Sequence, residues 1–164
     1  MRRGYTLIEL LVTVTIMVLL TVVSYPSISK MADVENLRTT GSELRHCYLL
    51  AKNYARAPQN AAATSYQAVY NQQGCRVVEV AAVNTVINEY RFAGTDYQFK
   101  NLSGATTMTI TISTAPPYEI TATEGSANTN IAAESLLIEV TNTANNTSRR
   151  QSINKHTGVI KNDV

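Results

Sequence analysis

The chain has 164 residues, enough for one modest domain with an appendage and too few for two full domains. Its formal charge is +2, and Arg2 and Arg3 account for that excess, so no global basic field points to nucleic acid. Two cysteines, Cys47 and Cys75, exclude a disulfide-rich scaffold and lack the close-spaced ligands of a structural zinc site.

The chain opens "MRRG", a short basic leader over residues 1–4. Tyr5 to Tyr25 then reads YTLIELLVTVTIMVLLTVVSY, and Glu9 is its one formal charge. As a helix at ~1.5 Å per residue this run reaches about 31 Å, the thickness of a bilayer core. A secretory signal peptide explains the basic-then-apolar order. It does not explain the length, because h-regions usually run ~7–15 residues, and no A-x-A-like site closes the run. A plain membrane anchor explains the length but not Glu9. A carboxylate in hydrocarbon costs about 2.5–3.5 kcal/mol on insertion scales, so it calls for a partner, and a cation of another chain is the obvious one.

These residues resemble the class III signal of type IV pilins and type II secretion pseudopilins. The resemblance is carried by "RRG-YTLIEL", by the anchor length and by Pro26, which lies where many type IVa pilins have a helix-bending proline. It implies cleavage by a prepilin peptidase between Gly4 and Tyr5, methylation of the new amine on Tyr5, and pairing of Glu9 with the N-terminal amine of a neighbouring subunit. Tyr5 departs from the phenylalanine usual there but keeps an aromatic ring. The arginines hold the leader in the cytoplasm by the positive-inside rule. Glu9 is thereby an assembly residue and not a catalytic acid, since a charge pair in a low-dielectric core serves register better than stability.

Beyond Pro26, which kinks or loosens a helix, Val34, Leu37, Gly41, Leu44, Tyr48, Ala51 and Ala55 recur at steps of three and four. That spacing predicts an amphipathic helix, charged on its other face and stopped by Pro58. The expected organisation is a leader at 1–4, one long helix at 5–57 with a transmembrane half at 5–25, and a β-rich head at 58–164. "SYQAVY", "CRVVEV", "DYQFK", "TTMTITIST", "YEITAT", "SLLIEVTNT" and "RRQSINK" predict six or seven antiparallel strands, separated by Asn, Gly, Ser and Pro clusters. The fold class is α+β, a pilin-like helix packed on an antiparallel β domain.

"RRQSINKHTGVIK" resembles the terminal strand–turn–strand of GspH/FimT-type minor pilins, and "FAGTDYQF" is similar to their mid-domain glycine segment. Some members of that group bind DNA during natural transformation through a basic C-terminal patch. The corresponding residues here are Arg149, Arg150, Lys155 and Lys161, with His156 beside them. The alternative for these residues is a solvated basic edge strand, which discourages aggregation. Cys47 on the helix and Cys75 on a strand either form a bridge, worth about 3 kcal/mol, or remain separate thiols. Asn101-Leu102-Ser103 and Asn146-Thr147-Ser148 fit N-x-[ST]. No P-loop, G-x-S-x-G or H-E-x-x-H motif occurs, so neither enzyme nor metal nor cofactor is expected. The expected partners are other pilin subunits, a prepilin peptidase, the cytoplasmic membrane before assembly and, in the DNA-uptake variant, DNA.

Overall fold

The computed structural model describes residues 6–92, 97–101, 104–125, 129–131, 134–154, 157 and 159–163, without the side chains of 23–30, 129–130 and 162–163. The leader at 1–4 and Tyr5 lie outside these residues. The chain divides into two compact units, Met1–Asn36 and Leu37–Val164. A single helix, α1, is assigned over Leu7–Arg56 and belongs to both.

In the first unit, α1 exposes its apolar side chains all round, from Leu7 at 83% to Val22 at 67%. β-branched residues are modest helix formers, so the backbone needs every hydrogen bond it can make. The threonines do not compete with that ladder. Thr13, Thr15 and Thr21 each donate a hydroxyl to a carbonyl three or four residues back, at 2.8 to 3.1 Å. Their polar groups are satisfied within the helix itself. The helix assignment continues through Pro26, whose ring, and with it the expected kink, lies outside the described side chains. Among the described residues no helix is long and apolar enough to cross a membrane, and the described side chains of this run stop at Val22.

In the second unit, α1 buries Leu37, Thr40, Gly41, Leu44, Cys47, Tyr48, Ala51 and Ala55. Val34 was expected on this stripe but is exposed, because the buried face starts only at Leu37. The helix ends at Arg56, two residues ahead of Pro58, since the residue before a proline avoids helical geometry.

Ten strands follow in the described residues. They are β1 Ser65–Asn71, β2 Gly74–Val80, β3 Thr85–Arg91, β4 Tyr97–Asn101, β5 Met108–Ser113, β6 Ile120–Glu124, β7 Thr129–Asn130, β8 Ser135–Asn142, β9 Thr147–Asn154 and β10 Ile160–Asp163. They form a six-stranded sheet, β3-β2-β1-β5-β6-β7, and a four-stranded sheet, β10-β9-β8-β4, with antiparallel pairing throughout. Strict alternation places one face of each central strand in the core. Tyr66, Ala68 and Tyr70 of β1 lie opposite Ile112, Ile110 and Met108 of β5, so large and small side chains interleave. Leu136, Ile138 and Val140 of β8 supply the second sheet's contribution. The stacked rings of Tyr70 and Phe99, 5.5 Å apart, join the sheets, and Tyr54 stacks on Tyr66 at 5.6 Å to join helix and sheet. Gly74 is obligatory: its φ is 149°, and a Cβ there would fall 2.0 Å from the Tyr90 carbonyl oxygen.

Two buried tyrosines differ in one bond. The Tyr70 hydroxyl donates to the Leu44 carbonyl at 3.2 Å, whereas the Tyr48 hydroxyl has no hydrogen-bond partner among the described residues. Burial pushes the Tyr48 phenol up to about 12 and raises that of Tyr70 as well. Tyr70→Phe should therefore cost about 1 kcal/mol, while Tyr48→Phe should be neutral or stabilising, as read by thermal unfolding. Both phenols hold their protons in the folded state above the ordinary value of 10.0. Their contribution is complete below pH ~10 and is lost as pH rises through the folded values, by about 1.4 kcal/mol per pH unit per group. Alkaline titration of stability should show this loss, and it should be shallower in Tyr70→Phe.

Candidate assembly site

Thr6 precedes the first helical residue and caps it. Its backbone N–H and its hydroxyl both donate to Glu9 Oε2, at 3.0 and 2.9 Å. The Glu9 N–H donates back to Thr6 Oγ1 at 3.4 Å. This is a reciprocal capping box, which satisfies orphan donors of the first turn and places an anion at the positive end of the helix dipole. The carboxylate is thus held on one oxygen by its own chain, and Oε1 faces no donor among the described residues. Thr6 was not singled out by the sequence reading, although its signal was present: T-x-x-E ahead of an apolar run.

The head contains a Cys47–Cys75 disulfide with a Cα–Cα distance of 6.5 Å. Both sulfur-bearing residues are 2% exposed, at the contact of α1 with β2. The bond occupies the Cys47 thiol, which is therefore not a free nucleophile. Among the described residues no three His, Cys, Asp or Glu side chains come together as metal ligands.

The basic end is divided by strand alternation. Arg149 lies on the helix side of β9, where a Cβ added to Gly41 would meet its Cδ at 3.0 Å. The small helical residue leaves room for the arginine stem, which packs rather than projects. Gln151 shares that side, buried, with its Oε1 lacking a hydrogen-bond partner among the described residues. Arg150 lies on the opposite face and pairs with Glu139, Nε to Oε1 at 3.2 Å. In register, Lys100, Glu139, Arg150 and Asp163 occupy one row across all four strands of the second sheet. The row alternates basic and acidic positions, so it carries no net charge. Lys161 is exposed, opposite Ser152. Lys155 and His156 lie outside the described residues. Of the predicted patch, then, only Arg150 and Lys161 share a face among the described residues.

The family described as Prokaryotic N-terminal methylation motif matches residues 1–25. This motif is the signal carried by type IV pilins and pseudopilins, and over these 25 residues the chain is similar to precursors that a prepilin peptidase processes. The motif implies assembly with other pilins, and the α+β architecture agrees with a pilin-like fold. No curated protein and no solved structure matches the chain.

Breaking the disulfide should be felt throughout the head, because it closes a separation of 28 residues between helix and sheet. Cys47→Ser with Cys75→Ser should lower stability by about 3 kcal/mol, measured by denaturant unfolding against the oxidised protein.

Proposed function

We propose that the chain is a minor pilin or pseudopilin that polymerises through the first half of α1 into a pilus or pseudopilus. The observation that carries this reading is the methylation motif over residues 1–25, joined to a helix whose apolar side chains are exposed all round. Before assembly, residues 5–25 span the cytoplasmic membrane with the arginines inside and the head outside. The disulfide supports that placement, since such bonds persist in oxidising compartments. Cleavage between Gly4 and Tyr5 frees an amine, which becomes methylated. In the fibre this amine, on one copy, faces Glu9 of the next. The capping box presents Glu9 for that contact with one oxygen already satisfied. Pro26 supplies the bend that lets the helices pack. The reading assigns no catalytic chemistry to the head.

Within the family, the terminal strand–turn–strand favours a GspH/FimT-type minor pilin. The alternatives are a pseudopilin of type II secretion and a DNA-uptake pilin. Duplex DNA would need Lys and Arg on one surface, and pairing of Arg150 with Glu139 and packing of Arg149 on Gly41 weigh against it. A titration of the mature protein with duplex DNA at two salt concentrations separates the readings. Salt-sensitive binding lost in Arg149→Ala/Arg150→Ala would favour DNA uptake.

The mature protein taken from fibres should have lost residues 1–4 and gained one methyl group by mass spectrometry. An intact N-terminus in cells with an active peptidase would reject the proposal. Glu9→Ala should still insert in the membrane but leave the fibre fraction at least tenfold depleted of this subunit, an estimate from the several kcal/mol of an unpartnered buried charge. Undiminished incorporation would reject the pairing role.

A further inference from the structure

Two N-x-[ST] tripeptides stand in the sequence, and the fold treats them differently. Asn101, at the end of β4, is 5% exposed. Its amide donates to Glu124 Oε2, and its oxygen accepts the Ala105 N–H at 2.8 Å. Nothing can be attached to it without undoing the contact between β4 and β6.

The second tripeptide straddles the end of the turn between β8 and β9: Asn146 closes the turn, Thr147 and Ser148 open β9, and residues 143–148 are all exposed. Three asparagines serve this turn. Asn142 is buried, and its oxygen accepts the Ala144 N–H at 2.9 Å. Asn145 accepts the Thr147 N–H at 3.1 Å and also the Thr147 hydroxyl. Asn146 takes the left-handed backbone conformation, with φ 54°, and its side chain has no hydrogen bond among the described residues. Asparagine tolerates that conformation better than other non-glycine residues. The turn is therefore built by Asn142 and Asn145, and Asn146 projects an unengaged amide into solvent. Ser148, two residues on, is exposed, and Thr147 between them is not proline. An acceptor asparagine of this kind needs these three properties together: a hydroxyl at the second position, no proline at the first, and a surface loop on an exported protein.

We infer that Asn146 is an attachment site for an N-linked glycan. The inference rests on the reading above only in that the head must reach the outer side of the membrane. The donor is a polyprenyl-phosphate-linked or polyprenyl-pyrophosphate-linked sugar used by an oligosaccharyltransferase of the same cell. The Asn146 amide nitrogen attacks the anomeric carbon, a C–N bond forms and the bond from that carbon to the phosphate oxygen breaks. The amide gives up one proton and the lipid phosphate leaves. No residue from 141 to 148 is charged, and the turn lies at the end of the second sheet, so a bulky glycan extends from it without opening the core.

The experiment is mass spectrometry of the full mature chain purified from its native cells, intact and as peptides. The expected result is a glycan mass on the peptide containing Asn146 and none on Asn101. It should be lost in Asn146→Gln and equally in Ser148→Ala, each of which leaves the core untouched. An unmodified Asn146 in the native chain overturns the assignment, as does a glycan that survives Ser148→Ala. The same intact mass reports the N-terminus, so failure of processing at Gly4–Tyr5 is read separately from failure of glycosylation.

Discussion

The exposed apolar surface of Leu7–Val22 is the constraint on which the rest depends. At roughly 25 cal/mol per Å² of apolar surface, a helix that exposes this much cannot remain in water. Lipid or other apolar helices would relieve that cost. Either environment forbids loose polar groups, and the local chemistry complies. Thr13, Thr15 and Thr21 return their hydroxyls to the helix, and Thr6 and Glu9 satisfy one another. The polar groups of this run are thus satisfied within the helix, and Glu9 Oε1 alone of that carboxylate faces no donor among the described residues.

The head answers a different requirement. A β-domain of this size must bury a continuous core, and α1 beyond Leu37 provides the third wall of it. Small residues at Gly41, Ala51 and Ala55 bring the sheets close, while Tyr48, Tyr66 and Tyr70 fill the space between. The charges are arranged across strands. Arg76 lies opposite Glu89, and Glu139 lies between Lys100 and Arg150. Such cross-strand neighbours contribute little individually, but they help to fix register.

Much of this was legible in the sequence, and the exceptions have physical causes. The apolar run, the stripe from Leu37 to Ala55 and the alternating strands β1, β5 and β8 follow from periodicity alone. β3 was missed because TVINEYR is an edge strand with most of its side chains exposed, so it has no alternation to read. β7 has two residues, too short to show a period. Val34 fits the helical spacing, but spacing cannot say where along a helix the packing begins. The basic cluster at 149–161 looked continuous in one dimension. Strand geometry sends neighbours to opposite faces, and Glu139, eleven positions from Arg150, reaches it only through the hairpin. The Thr6–Glu9 contact is local, and a T-x-x-E spacing shows it in the sequence as a capping box.

The Cys47–Cys75 bond also changes how the head bears a mechanical load. A pull entering along α1 would otherwise have to pass through the last helical turns, the α1–β1 loop and the whole of β1 before it reached β2. The covalent link diverts it at Cys47 directly into β2, a strand flanked on both sides by antiparallel neighbours. The segment from Tyr48 to Gly74 is then slack, outside the line of force. The hydrogen-bond ladder between β1 and β2 no longer has to unzip one bond at a time under tension.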